Sequence, residues 1–296
     1  MTLIRPDRND RHTPPQPRKT TPMNTFLIIG GTGKVGSRLA QILRSQGHEP
    51  RIASRTGGDV RFDWRAPETY AQALEGVHGV FVVGPGSATD WSESLTHLLT
   101  EAHSKDVKHA VLLSARGVEF LPDGAVARAE TALRNGPLLW TVLRPSHFSQ
   151  NFTEAMFVPV DDTVIAPVAD GAQPFIDVED IAQVAAAVLT DDAWAYETID
   201  LSGPVAHTFD DAVAILGNHT DRALAYRDED PAEHTRRLRD AGTPEGYITW
   251  RMAMLNGIRR GDDAYLSDGV QRVLGRPAVS FADWAAREAG VLRSTK

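Results

Sequence analysis

A short apolar run followed by a glycine-rich turn is the feature that most restricts how this chain can fold. The run Phe26–Ile29 leads into a turn that begins at Gly30, and the amphipathic stretch Lys34–Ser45 follows. Four consecutive apolar residues are typical of a buried strand, and the later stretch has helical periodicity. A strand, a glycine turn and a helix in this order predict a parallel α/β unit.

The spacing of three glycines indicates what the turn binds. Gly30 allows a tight turn, Gly33 lets backbone approach a pyrophosphate, and Gly36 lets the helix pack close to the strand. The helix N-terminus adds free N–H groups and the positive end of its dipole. A plain structural turn is the alternative interpretation. The residues predicted to hold a dinucleotide here are Gly30, Thr32, Gly33, Lys34, Val35 and Gly36.

The end of the second predicted strand, Pro50–Ala53, favours one of the two nicotinamide dinucleotides. An NAD site usually has Asp or Glu there, which accepts hydrogen bonds from the ribose 2′-hydroxyl. This chain has Ser54 and Arg55 instead, and the planar guanidinium of Arg55 can pair with a 2′-phosphate. We therefore expect NADP(H) as the cofactor, with a solvated surface charge as the alternative interpretation of Arg55.

Strand and helix patterns alternate along the first half and predict an α/β fold, a doubly wound parallel Rossmann sheet. After the strand candidate Thr198–Leu201 the patterns are mostly helical, which predicts a smaller, mostly helical C-terminal substrate lobe. The expected domains are a disordered leader over 1–24, a Rossmann domain over 25–146 that 177–203 completes, and a discontinuous substrate lobe over 147–296.

Composition excludes several function classes. The formal net charge is −8, whereas duplex-binding surfaces normally carry a basic excess, so nucleic acid is not an expected partner. The chain has no cysteine, which excludes disulfides and thiolate chemistry. No apolar run approaches the roughly 20 residues that span a bilayer. We expect a cytoplasmic protein with no membrane partner and no metal site; the oligomeric state stays open.

Further short motifs follow the glycine turn in a fixed order. They are Ala110–Ala115, Trp140–Phe148, Gln150–Phe152, Pro174–Ile181, Leu201–Pro204 and Leu274–Pro277. Together they resemble the NmrA-like family of atypical short-chain dehydrogenase/reductase proteins. The resemblance implies an NADP-binding Rossmann fold in which Ser114 and Pro145 border the nicotinamide. The loop at Gly84 and Pro85 leaves room for backbone to line the cofactor groove, although plain turn chemistry explains it equally well.

The residues that usually supply the proton in such reductases are missing. The superfamily pattern is Tyr-x-x-x-Lys, and none of the five tyrosines has a lysine four residues later. His147, just after Pro145, is the predicted substitute, because an imidazole can act as an acid or base near neutral pH. A histidine with a purely structural partner is the alternative. Ser114 is a second catalytic candidate, with a structural serine as its alternative.

The predicted function is NADPH-dependent oxidoreduction of a small-molecule quinone, enone or related carbonyl. An NADP(H)-sensing regulator without turnover and a non-redox isomerase or cyclase are the alternatives. Aromatic side chains shortly after Pro145 and in a later predicted helix predict an aromatic or polycyclic substrate. The alternative interpretation is that these side chains fill the core of the lobe. The predicted substrate-binding residues are Phe148, Asn151, Phe152, Tyr247 and Trp250.

Overall fold

Nine strands form one large and one small sheet in the part of the chain that a computed structural model describes, residues 23–86, 89–220 and 222–293. The predicted leader lies outside these residues apart from Met23 and Asn24. The strands are β1 (Thr25–Ile29), β2 (Glu49–Ser54), β3 (Val60–Arg61), β4 (Gly79–Val83), β5 (His109–Leu113), β6 (Leu139–Pro145), β7 (Thr163–Ala166), β8 (Glu197–Leu201) and β9 (Ala225–Asp228).

The large sheet is parallel, with the strand order β3-β2-β1-β4-β5-β6-β8. Phe26, Leu27 and Ile28 of β1 are fully buried, because layers of helices cover both faces of the sheet. The chain goes from β1 to β2 on one side and later returns to β4 on the other. The strand order therefore reverses between β1 and β4, which is where doubly wound sheets bind ligands. The predicted doubly wound parallel fold is confirmed.

Eleven helices surround the sheets within the described residues. They are α1 (Lys34–Ser45), α2 (Tyr70–Ala73), α3 (Ser92–Ser104), α4 (Ala125–Arg134), α5 (Asn151–Glu154), α6 (Val178–Thr190), α7 (Phe209–Thr220), α8 (Pro231–Asp240), α9 (Glu245–Arg259), α10 (Gly269–Leu274) and α11 (Phe281–Arg293). α1 and α6 pack side by side on one face of the large sheet, and α10 joins them there. α3 and α4 pack together on the opposite face.

The lobe beyond the large sheet has its own aromatic core. Its fully buried phenylalanines include Phe152, Phe157 and Phe209, and the ring centroids of Phe157 and Phe209 are 4.8 Å apart. The predicted smaller, mostly helical lobe is confirmed, with one correction. β7 and β9 pair in parallel and add a two-stranded sheet that the sequence patterns missed. Each strand has four residues, too few for a periodicity, and β9 is mostly exposed.

Two fully buried carboxylates at the start of α6 tie distant segments together. Asp177 Oδ2 lies 2.7 Å from Arg287 Nη2 of α11, and Asp180 Oδ1 lies 2.7 Å from Nη2 of Arg276. Asp177 Oδ1 also accepts a hydrogen bond from Gln150 Nε2 at 2.7 Å. These bonds fix the segment that follows β6, which carries most of the residues predicted to meet substrate.

Candidate cofactor groove and substrate cavity

The glycine turn after β1 has the conformation that a dinucleotide site requires. Gly30 has φ 76°, in the left-handed region that glycine adopts without strain. A Cβ at Gly36 would lie 2.4 Å from the carbonyl oxygen of Gly30, so only glycine lets α1 approach the turn this closely. Gly33 caps α1 without a side-chain hydrogen bond. The N–H groups of the first turn therefore have no side-chain partner and can bind an anion.

A cavity of about 330 Å³ opens at the carboxyl ends of β1, β2 and β4. Its lining includes six of the residues predicted to bind cofactor: Gly30, Thr32, Ser54, Arg55, Gly84 and Pro85. Val35 differs from the prediction in one respect: its side chain is 4% exposed and belongs to the core between sheet and helices. Val35 therefore offers its backbone alone to a cofactor. The cavity and the turn together fit a dinucleotide.

Two arginines line the outer end of this cavity, and only one of them was predicted. Arg55 follows β2 and Arg65 follows β3; both are exposed, and neither forms an ion pair among the described residues. The backbone N–H of Arg65 donates to Asp63 Oδ1 at 3.0 Å, which fixes the turn. Trp64 closes the wall and donates its Nε1–H to the Val83 carbonyl at 3.2 Å. The sequence signal for Arg65 was its position directly after the Asp-Trp pair that follows β3.

A second cavity of about 240 Å³ lies farther along the same sheet edge, at the ends of β5 and β6 beneath α9. Most of its walls are apolar, and a few polar groups converge at one end. The lining residues are Leu113, Ser114, Ala115, Arg116, Gly117, Pro145, Ser146, His147, Phe148, Asn151, Met156, Trp250, Met254 and Asp263. An apolar cavity with few convergent polar groups is typical of a small-molecule site.

The predicted catalytic histidine is held by an amide that also binds a carboxylate. Gln173 Nε2 lies 3.1 Å from His147 Nδ1 and 2.9 Å from Asp263 Oδ2. Because the amide nitrogen donates, Nδ1 accepts, and the ring carries its proton on Nε2. Burial, with a smaller effect from the charge of Arg251, lowers the pKa of His147 to about 4. The imidazole is therefore neutral at pH 7, which corrects the expectation that its pKa lies near neutrality.

The other predicted catalytic residue, Ser114, donates its hydroxyl proton to a buried glutamate and not into the cavity. Its hydroxyl donates to Glu130 Oε1 at 2.5 Å, and Arg144 binds both oxygens of the same carboxylate at 2.9 and 2.6 Å. Although burial opposes it, hydrogen bonds from Arg144 and Ser114 hold the pKa of Glu130 below its usual range. Ser114 consequently faces the cavity as an acceptor, which argues against a role as proton donor.

Sequence reasoning missed two charged residues in this cavity. Asp263 is 2% exposed, and its Oδ1 has no hydrogen-bond partner among the described residues. Arg116 is 1% exposed; its Nη1 donates to the Tyr265 carbonyl at 2.8 Å and lies 3.6 Å from Asp263 Oδ1. The two residues are far apart in the chain and belong to no short motif. The feature that marks these two residues is their burial, and burial arises only when the chain folds.

The predicted substrate-binding residues divide into two groups. Phe148, Asn151 and Trp250 line the second cavity. Phe152 does not: its side chain is fully buried in the lobe core, with its ring centroid 5.1 Å from that of Phe175. Tyr247 does not line the cavity either; its ring centroid lies 5.7 Å from that of Trp250, which does. The prediction of substrate contact is therefore wrong for Phe152, because the apolar side chain was needed to fill the core.

Neither a metal site nor a membrane span emerges from the residues that the structure describes. No three His, Cys, Asp or Glu residues among them come close enough to bind a metal ion. None of their helices combines the length and apolarity that crossing a membrane requires.

Comparison with known proteins identifies the family. A family model described as NAD(P)H-binding matches residues 30–192, more than half of the chain. Over 276 residues the chain is 33% identical to the uncharacterized oxidoreductase YesF of Bacillus subtilis, which covers 90% of this chain and 96% of that protein. The chain belongs to the NAD(P)H-binding family. The predictions of a nicotinamide dinucleotide cofactor and of an NAD(P)H-dependent oxidoreductase are thereby confirmed at the level of the family.

Solved structures of this NAD(P)H-binding fold include an enzyme and a regulator. The Escherichia coli NADPH-dependent quinone oxidoreductase QOR2, complexed with NADPH, has a TM-score of 0.71 at 19% identity and covers 88% of this chain and 99% of that one. NmrA, a negative transcriptional regulator in complex with NAD, has a TM-score of 0.68 at 16% identity and covers 92% and 95%. At these identities the likeness shows a shared fold, and this is the fold that the resemblance to NmrA-like proteins implies.

Proposed function

We propose that this protein is an NADPH-dependent reductase of a small, uncharged aromatic molecule with a quinone, enone or related conjugated carbonyl. One observation carries the proposal: an apolar cavity with a neutral histidine donor lies along the same sheet edge as the glycine turn. A dinucleotide that crosses the strand ends of a doubly wound sheet would extend from the first cavity toward the second.

Specific residues of the groove would hold the cofactor. The first-turn N–H groups of α1 would bind the pyrophosphate, and Arg55 and Arg65 would bind the 2′-phosphate, which favours NADPH over NADH. When bound, NADPH supplies a hydride. The predicted border between the cofactor domain, 25–146 with 177–203, and the substrate lobe, 147–296, would then run through the second cavity, which residues of both parts line.

The walls of the second cavity suit a compact aromatic substrate. Its volume of about 240 Å³ lies below the roughly 300 Å³ at which typical ligand pockets begin. We therefore propose one or two fused rings rather than a larger polycyclic system. Phe148, Trp250 and Met254 would contact the ring faces and exclude water, which strengthens polar interactions inside the cavity.

The chain's own residues would orient and polarise the carbonyl. The hydrogen bond from Gln173 leaves the Nε2–H of His147 for the cavity, and a neutral imidazole can donate this proton in a hydrogen bond without losing it. A carbonyl oxygen bound there would be stabilised as negative charge develops on it. Hydride transfer also depends on holding the carbonyl in a fixed position beside the cofactor.

The test follows NADPH absorbance against a panel of one- and two-ring quinones and enones. We expect turnover that falls at least tenfold in His147→Phe, which removes the donor and keeps a ring. His103→Phe, at a histidine of α3 outside both cavities, is the matched control and should not change turnover. Tight NADP(H) binding without turnover of any panel member would instead favour the NADP(H)-sensing regulator; NmrA, which shares this fold, is a negative transcriptional regulator.

A further inference from the structure

The reductase proposed above lacks the tyrosine and lysine that usually deliver the proton, and the second cavity contains one unexplained acid. Asp263 follows α9 and lines the cavity with only 2% of its surface exposed. Its two carboxyl oxygens differ in surroundings. Oδ2 accepts the hydrogen bond from Gln173 at 2.9 Å, whereas Oδ1 has no hydrogen-bond partner among the described residues.

The contact between Asp263 and Arg116 is too long for a hydrogen-bonded ion pair. Arg116 Nη1 lies 3.6 Å from Asp263 Oδ1, and the Nε and Nη2 atoms of the same guanidinium are buried without partners in the described residues. A buried carboxylate beside such a cation would normally bind it in a bidentate manner. A carboxyl group that is protonated on Oδ1 carries no charge, so it attracts the guanidinium less strongly and need not form this bidentate contact.

We infer that Asp263 is the catalytic acid of the proposed reductase and delivers a proton from Oδ1 to the carbonyl oxygen of the substrate. The inference rests on the proposed function, since it needs a reducible carbonyl in this cavity. Both His147 Nδ1 and Asp263 Oδ2 lie within 3.1 Å of one amide nitrogen, so the hydrogen-bond donor and the acid converge on the same end of the cavity.

In the proposed reaction the hydride comes from NADPH and the proton from Asp263. Reduction adds a hydride, with its electron pair, to the conjugated system, and the carbonyl oxygen gains negative charge. The Oδ1–H bond of Asp263 breaks, a new O–H bond forms on the substrate, and the carboxylate remains. The positive charge of Arg116, whose Nη1 lies 3.6 Å from Oδ1, then stabilises this carboxylate, and a proton from water restores the acid.

The electrostatic surroundings support a protonated Asp263. Burial raises the pKa of this carboxyl above its usual range, against the lowering effects of Gln173 and Arg116, while Glu119 raises it further. The other titratable or charged groups around this end include neutral His147 after β6, Arg251 of α9, Asp200 of β8 and Tyr265, whose ring lies 4.0 Å from the Arg116 guanidinium carbon. An acid in such a setting is active at low pH and loses activity as the pH rises through its pKa.

The first test measures the proton directly, without cofactor or substrate. Difference infrared spectra of the wild-type protein taken along a pH titration should show a protonated carboxyl band that is absent from Asp263→Asn. Asp263→Glu should shift the frequency of that band. This variant replaces Asp263→Asn in the test if the asparagine variant does not fold. Asp262→Asn, at the exposed neighbour that pairs with Arg260, is the matched control and should leave the band in place. A band unchanged in Asp263→Asn would overturn the inference.

The second test measures turnover with a quinone that the wild-type protein reduces. We expect kcat to fall at least a hundredfold in Asp263→Asn, with KM changed less than threefold and the loss of rate at high pH abolished. A kcat within twofold of the wild-type value would overturn the role of Asp263 and leave the proposed reductase intact. If the wild-type protein reduces no member of the panel, the reductase and the catalytic role of Asp263 are both overturned, and the infrared band still reports the protonation state of Asp263.

Discussion

Ser114 donates its hydroxyl proton to Glu130 across 2.5 Å, and this contact joins the end of β5 to the middle of α4. The carboxylate is 1% exposed and is neutralised by Arg144 and Arg134. A buried charge with several partners is costly to disrupt, because the remaining partners then lose their counter-charge. The serine that sequence reasoning placed in catalysis therefore belongs to a network that stabilises the fold.

Replacing the acid of that network should destabilise the protein. Glu130→Gln leaves Arg144 and Arg134 without their carboxylate and should lower the free energy of unfolding by about 3–5 kcal/mol, measured by urea denaturation. Glu93→Gln, at a position in the first turn of α3 outside the network, is the control and should change it by less than about 0.5 kcal/mol. Equal stabilities of the two variants would contradict the role assigned to Glu130.

The same carboxylate gives stability a defined pH dependence. The pKa of Glu130 is lowered in the folded protein, so its contribution is present above the pKa of the unfolded chain and is lost as the pH falls through the folded value. We expect wild-type stability to drop on acidification and the difference from Glu130→Gln to shrink. Urea denaturation of both proteins at several pH values measures this, and a difference that does not depend on pH would argue against it.

His147 should weaken the folded state in mild acid. Its pKa is about 4 in the folded protein and 6.5 as the ordinary value, so the unfolded chain binds more protons as the pH falls from about 6.5 to 4. His147→Gln removes this term, which amounts to at most about 3 kcal/mol. Between pH 8 and pH 5 the variant should lose less stability than the wild-type protein. A parallel loss in both would show that the ring is protonated in the folded state.

The two arginines at the outer end of the first cavity should select the cofactor. Arg55→Ala and Arg65→Ala should each weaken NADPH binding about ten- to a hundredfold, the equivalent of roughly 1.5–3 kcal/mol for a charge-assisted hydrogen bond, and leave NADH binding unchanged. Arg61→Ala is the control, because Arg61 is exposed on β3 and does not line the cavity. Calorimetry measures all three, and equal losses for both dinucleotides would refute selection by the 2′-phosphate.

Phe152 and Trp250 should respond differently to truncation. Phe152→Ala removes a fully buried core ring and should cost about 3–5 kcal/mol of stability. Trp250→Ala opens a cavity wall and should raise KM for an aromatic substrate while costing less stability, since the side chain is only partly buried. Urea denaturation and steady-state kinetics of both variants make the comparison. A larger KM effect from Phe152→Ala than from Trp250→Ala would reverse the assignment.

The sequence by itself determined the Rossmann unit and its glycine turn. Lys34–Ser45 is a helix with the predicted bounds, because apolar spacing and the glycine before it act within a few residues. Gly30 and Gly36 are equally local, since their lack of a side chain is what permits the turn. Effects that act within a few residues of the chain can be recognised directly from the sequence.

Only the tertiary structure decided which residues form the polar end of the second cavity. His147, Gln173 and Asp263 come from three separate segments, and their contacts exist only because folding brings those segments together. The sequence supplied His147 as a candidate with an ordinary pKa, and burial made it neutral. It supplied no reason to single out Asp263, because a carboxyl group acquires an unusual proton affinity only when folding removes it from water.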